Sequence, residues 1–342
     1  MTATVTGAAD VLMRDYMALE PGETVLITAD TDSDEVVWQA VLRASLLAGA
    51  NASVHLIPPL PYQGRLADPY VTPALGAAAL AADVWIDFTF PYLAGSELHD
   101  HAMETDRIRY LLGADLSAGG LLRLFGRVDL DRYFAVHHGF DALVNDAVGK
   151  SVRITDGTGT DVSFVLGQRG FEKPRRADKP GTVLIPGQCT LFPEVESVKG
   201  RIDVGAMFHE YYTRLPSPIT LEIDGRIRAI SGGGNERTVA DRALRRAGKD
   251  GEYGYVIHFT HGIHPTARVT GGSFVEDTRA IGNNAIGMGM PWWDPGGGEN
   301  HPDAVLFMHT IDIDGQRVVE DGAIVGPEPL AALAADLQPL AG

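Results

Sequence analysis

The chain has 342 residues, 45% hydrophobic and 21% charged, so it is long and apolar enough to fold around a sizeable core without disulfides or a structural metal. With 28 basic against 45 acidic residues its formal net charge is −17, which argues against a grip on nucleic acid and against adhesion to anionic membranes. One cysteine, Cys189, excludes an intrachain disulfide and any multi-cysteine metal site.

In chain order, residues 7–19 read as a helix ended by the turn Glu20-Pro21-Gly22. The β-branched run 24–28 predicts a buried strand, 33–48 a helix, 52–57 a second strand, 73–82 an Ala-rich helix and 84–88 a third strand. This alternation predicts a parallel sheet with covering helices; an α+β sandwich is the competing arrangement. The most apolar stretch, 74–88, is interrupted by Asp83 and Asp87, and no secretory leader pattern opens the chain. A cytoplasmic protein is therefore expected.

From about residue 150 the pattern changes to hairpins. Residues 151–154 and 161–166 flank Asp156-Gly157-Thr158-Gly159, residues 219–223 and 227–230 flank Asp224-Gly225, and residues 305–313 and 317–319 flank Asp314-Gly315. A helix at 236–248 and a strand at 253–259 lie between them. The expected fold is α/β, with an N-terminal parallel α/β domain over residues 1–149 followed by a largely antiparallel α+β domain over 150–342.

Five of the eleven histidines (His258, His261, His264, His301 and His309) crowd into residues 258–309. Within that window His301-Pro302-Asp303 places an imidazole and a carboxylate on one face of an extended backbone. A third ligand from the segment around His258 would complete two histidines and one carboxylate. Such a set suits non-haem Fe(II), and equally a zinc hydrolase with an open water position. His-x-Asp alone is also a common surface ion pair. The glycine-rich run 231–235 reads as a loop with Asn235 as helix N-cap, against a phosphate cradle. His137-His138 reads as a helix end or turn, and Cys189 as a small core residue. Trp292 and Trp293, on the glycine-rich loop 291–298, are candidates for the wall of a flat-substrate site, or for an interface.

The segment 255–268, with His258, His261-Gly262, Pro265 and Ala267, resembles a His-x-x-x-Gly-x-x-Pro-x-Ala stretch of 2,5-dihydroxypyridine 5,6-dioxygenases, relatives of the aminopeptidase T-like metallopeptidases. Residues 300–328 resemble the C-terminal ligand strand and hairpin of that family, and residues 156–161 and 192–200 resemble further recurrent stretches. The resemblance implies Fe(II) held by His258, His301 and Asp303, an aromatic substrate, O2 and a homo-oligomer. It has His258 where the peptidase branch has a glutamate, which favours a single metal. Two histidines of the dioxygenases lack a clean counterpart here. His264 and Glu299, each within six residues of an implied ligand, are the candidates for acid–base duty, and His264 reads equally well as a structural hydrogen-bonding group. The expected activity is Fe(II)-dependent, extradiol-type cleavage of a hydroxylated N-heteroaromatic ring. A metal-dependent hydrolase and a catalytically inactive binding protein are the alternatives.

Overall fold

Alternation of strand and helix in the first half builds a five-stranded, all-parallel sheet in the order Asn51–Ile57, Thr24–Asp30, Val84–Asp87, Arg109–Leu112, Gly181–Leu184. The structure, a computed structural model, describes residues 3–168, 176–291 and 300–340. Successive side chains of a strand point to opposite faces, and this sorts the core into two. Val25, Ile27, Val84, Ile86 and Leu111 enter a large core shared with the second sheet. Leu26, Trp85 and Tyr110 face the other way, onto Leu75, Ala79, Leu98 and Ala102. Burial on both faces explains why these strands read as continuous apolar runs.

The covering helices follow their sequence signals. Glu35–Leu47 starts where the Asp34 carboxylate accepts from the Val36 N–H, and it buries Val37, Val41 and Ala44 at helical spacing. Pro73–Ala81 starts on Thr72 in the same way, with Pro73 in the first turn. The first helix is shorter than expected. Val5–Val11 runs into a π-helical turn, Leu12–Tyr16, and Ala18 then takes φ 46°, which ends the helix before residue 19.

Among the described residues the second sheet has twelve strands, antiparallel throughout. Its central part runs Lys199–Phe208, Asp303–Phe307, Asn283–Gly289, Tyr255–Gly262, Gln188–Leu191. Ser151–Thr155 and Asp161–Val165 form the first expected hairpin, its turn gathered by Asp156 Oδ1, which accepts from the N–H groups of Thr158, Gly159 and Thr160. Tyr212–Asp224 and Arg226–Gly232 form the second.

Three expectations need correction. The run 305–313 is not one strand. Met308 adopts φ 50° and splits it into Asp303–Phe307, in the centre of the sheet, and Thr310–Ile313, which pairs with Gln316–Glu320. His137 and His138 lie inside the long helix Leu130–Asp146, not at an end or turn. Asn235 occupies the N-cap position of Glu236–Ala247, but its side chain makes no capping bond. The strand Gly181–Leu184 lies beyond residue 149 yet closes the parallel sheet, so a cut there does not separate the two sheets strand for strand. Among the described residues no helix is long and apolar enough to cross a membrane.

Candidate metal centre

Three neighbouring strands of the antiparallel sheet bring the site together. His258 on Tyr255–Gly262 lies opposite Gly287 on Asn283–Gly289, and Gly287 lies opposite Asp303 at the head of Asp303–Phe307. Residues directly opposite in such a ladder share a face, so His258 and Asp303 flank a glycine on one side of the sheet. His301 precedes Asp303 by two and completes the group. His258 Nε2 is 3.2 Å from His301 Nε2 and 3.7 Å from Asp303 Oδ1, and His301 Nε2 is 3.9 Å from Asp303 Oδ1. The three ligand atoms lie within 4.8 Å of one another, the one such group among the described residues.

Gly287 is what makes the space. A Cβ at this position would stand 2.2 Å from His258 Nε2 and 2.6 Å from His301 Nε2. Glycine inside a strand commonly marks a close approach, and here the close approach is by two imidazoles. Two imidazole nitrogens and one carboxylate oxygen converging on a cradle without a side chain fit a single divalent transition metal.

The ligand side chains are held from behind. Thr260 Oγ1 lies 2.9 Å from His258 Nδ1, which leaves Nε2 for the cluster, and the Thr260 N–H donates to Asn284 Oδ1 at 3.1 Å. Both peptide groups around His301 are engaged. Its N–H donates to Asn300 Oδ1 at 3.0 Å, and its carbonyl accepts from Gln63 Nε2 at 2.5 Å. These two bonds fix both amide orientations, leaving Gln63 Oε1 and Asn300 Nδ2 buried without partners among the described residues.

An aromatic wall stands beside the carboxylate. Phe208 lies opposite Asp303 on the next strand. Phe90 stacks on Phe208 with ring centroids 4.4 Å apart, Phe274 lies at 5.3 Å and Tyr92 at 5.8 Å, and the edge of Phe192 meets His258 at 6.4 Å. Phe90 and Tyr92 sit on the loop leaving the C-terminal end of the strand Val84–Asp87, the end at which parallel sheets bind ligands. Two carboxylates pin this loop. Asp30 Oδ2 accepts from the Phe90 N–H at 3.0 Å, and Asp87 Oδ2 from the Leu93 N–H at 2.9 Å. Asp87 also accepts from the hydroxyls of Thr28, Thr89 and Tyr110; its complete burial pushes its carboxyl up.

The remaining sequence candidates lie elsewhere or outside the described residues. His264 is fully committed: Nε2 bonds the Leu124 carbonyl at 3.0 Å, Nδ1 accepts from the Thr266 N–H at 3.3 Å, and burial pushes the imidazole down to about 4. This is the structural reading of His264, with neither ring nitrogen left for acid–base work. His261 and His309 bond each other at 2.9 Å on the opposite face of the sheet from His258. Cys189 is buried, its Sγ 3.6 Å from His137 Nδ1. Glu299, Trp292 and Trp293 lie outside the described residues. Sequence reasoning missed Gln63, Phe90, Tyr92, Phe208 and Gly287. Only Gly287 carried a local signal, as one of the two glycines of Gly287-Met288-Gly289 in an apolar strand.

The two sheets and this donor set define a two-sheet α/β protein with a candidate centre for one metal. The family model described as 2,5-dihydroxypyridine 5,6-dioxygenase (NicX) matches residues 13–326. The chain belongs to that dioxygenase family, whose members are ring-cleaving oxidoreductases. Among solved structures, 2,5-dihydroxypyridine dioxygenase from Pseudomonas putida KT2440 is similar, with TM-score 0.73 and 22% identity over 96% of this chain and 98% of that one. Wild-type AmpT from Thermus thermophilus is similar with TM-score 0.66 and 14% identity, over 94% of this chain and 99% of that one. At these identities the two structures establish a shared fold. No curated protein sequence gives a significant match.

Proposed function

We propose that this chain is an Fe(II)-dependent, extradiol-type dioxygenase that opens a hydroxylated N-heteroaromatic ring of the 2,5-dihydroxypyridine kind, with His258, His301 and Asp303 as the metal ligands. The observation that carries the reading is the row His258, Gly287, Asp303, with His301 folded over the glycine. Bound there, Fe(II) supplies the redox chemistry that lets a singlet ring react with triplet dioxygen. Two neutral imidazoles and one carboxylate cancel only half of a dication's charge, so the site attracts a ring bearing an ionised hydroxyl. Phe90, partly exposed and stacked on the buried Phe208 opposite Asp303, offers a flat apolar surface against which a ring can stack. Gln63 and Thr260 hold the His301 backbone and the His258 ring, so the ligands need little reorganisation. In this reading residues before 150 contribute Gln63, Phe90 and Tyr92, and residues after it contribute all three ligands.

The test is oxygen uptake by protein loaded anaerobically with Fe(II), on addition of 2,5-dihydroxypyridine and a small panel of hydroxylated rings. Uptake stoichiometric with loss of the ring chromophore is expected, and His301→Ala should abolish it together with iron binding. Turnover of an amide or peptide with zinc or manganese, without oxygen uptake, would overturn the proposal in favour of a hydrolase.

A further inference from the structure

Tyr92 stands out among the aromatic residues beside the candidate metal centre. Its ring packs on Phe208 and Phe90, with centroids 5.8 Å and 6.3 Å away, and the residue is only 8% exposed. Among the described residues its hydroxyl has no hydrogen-bond partner. The other phenols nearby are bonded: Tyr110 donates to Asp87 at 2.6 Å, and Tyr212 to Asp277 at 2.8 Å. The residue is nearly buried, but its hydroxyl is not among the enclosed polar atoms, so the polar tip is the part of the side chain left accessible. A tyrosine here needs an explanation, because phenylalanine would pack the same core at no polar cost.

Position supplies the explanation. Phe208, which the Tyr92 ring touches, lies opposite Asp303 on the face of the sheet that carries the ligands. Burial raises the Tyr92 phenol, so the group stays a protonated donor. The loop that carries it is held at Phe90 by Asp30 and at Leu93 by Asp87, so the phenol is presented on a fixed support. A preorganised donor beside an aromatic wall and a metal-ligand cluster is suited to one kind of occupant, a flat ring with an oxygen substituent.

We propose that the Tyr92 hydroxyl donates a hydrogen bond to an oxygen substituent of the aromatic ligand and thereby sets which hydroxylated rings the site accepts. Tyr92 is a specificity-determining residue, and the inference rests on the function proposed above. The ligand's oxygen completes the hydrogen bond that Tyr92 lacks, while Phe90, backed by the buried Phe208, contacts the ring's face or edge. A ring without an oxygen at that position leaves the hydroxyl unpartnered inside a now closed site, which costs binding.

The experiment compares wild type with Tyr92→Phe, both loaded with Fe(II) without oxygen, by spectroscopic titration with 2,5-dihydroxypyridine and with catechol. It also measures iron affinity and the thermal midpoint of the metal-free protein. The variant is expected to bind at least one ring about tenfold more weakly. Its iron affinity should be unchanged, and its thermal midpoint equal to wild type or higher, because no hydrogen bond is lost. In turnover the loss should appear in KM more than in kcat. Equal ring affinity in variant and wild type would overturn this inference alone. A lowered midpoint or weakened iron binding without weakened ring binding would also overturn it, by making the hydroxyl structural. If wild type binds iron but neither ring, the ring-cleaving reading falls and this inference falls with it.

Discussion

Replacing Gly287 with alanine adds one methyl group at the centre of the ligand row. The new Cβ would lie 2.2 Å from His258 Nε2, 2.5 Å from its Cδ2 and 2.6 Å from His301 Nε2, where ordinary contacts begin at 3.4 Å. The His258 tip must therefore retreat by about 1.2 Å and the His301 tip by about 0.8 Å, or the strands must part. Metal–ligand distances tolerate about 0.2 Å, so both imidazoles leave bonding range at once. Disturbing groups that merely orient ligands costs about 10–100-fold in affinity, and displacing two ligands should cost at least the upper figure. The fold should survive. Gly287 does not take a positive φ, and alanine in a strand is favoured over glycine by about 0.5–1 kcal/mol, which partly offsets about 1–3 kcal/mol of overpacking. Anaerobic titration with Fe(II), and with Zn(II) as a redox-inert probe, would read the affinity, and circular dichroism melting of the metal-free protein would read the fold. Wild-type metal affinity in a folded Gly287→Ala protein would refute the assignment of His258 and His301 as ligands.

Other outcomes follow from the same geometry. His258→Ala or Asp303→Ala should abolish stoichiometric iron binding while the metal-free protein still unfolds cooperatively, as iron analysis and urea denaturation would check. Gln63→Leu releases the His301 carbonyl and should weaken iron binding about tenfold, measured by competition with a chelator. Phe90→Leu removes the ring stacked on Phe208 and should raise the KM for an aromatic substrate several-fold with little change in kcat, a split that steady-state oxygen uptake resolves. Stability of the metal-free protein should fall on acidification from pH 7 toward pH 5. His264 and His309 are each pushed from 6.5 down to about 4 by burial, so the unfolded chain takes up protons across that window while the folded chain does not. Each withdraws up to about 3 kcal/mol by pH 4. Asp115, raised to about 6 by burial, and Asp87, also raised by burial, work in the opposite direction, but burial lowers His261 and His209 too, so four histidines stand against two carboxyls. Urea midpoints that stay level over this range would show that these histidines are not buried and neutral in the native state.

The parts of this structure that were legible in the sequence are those with local periodicity. The runs 24–28 and 84–88 read as buried strands because both faces are covered, and Asp-Gly turns marked the hairpins. His301 and Asp303 stood out because an extended chain puts residues i and i+2 on one side. What failed had tertiary causes. Alternation runs unbroken through Met308, and only the left-handed backbone there, with its N–H on the Gly282 carbonyl at 2.5 Å, sends the two halves to different neighbours. Gly181–Leu184 is four residues long and becomes a strand by pairing with Arg109–Leu112. His264 has the residue type and the neighbourhood of an acid–base group, but the Leu124 carbonyl from a helix 140 residues away claims its proton. Gln63 and His301 are 238 residues apart, and nothing in either segment announces the other.

His258 and Asp303 belong to one continuous sheet and His301 lies two residues before its strand, whereas Gln63, Phe90 and Tyr92 lie on loops from the other sheet. The candidate ligands and part of the proposed substrate-facing surface are thus separately encoded. A lineage can exchange the residues at 90–92 while Gln63 and the ladder through Gly287 stay intact, trying new rings against an unchanged candidate centre. The same separation offers engineering a route: vary the loop at 90–92, keep Gln63 and the strands, and screen variants for both metal binding and ring preference.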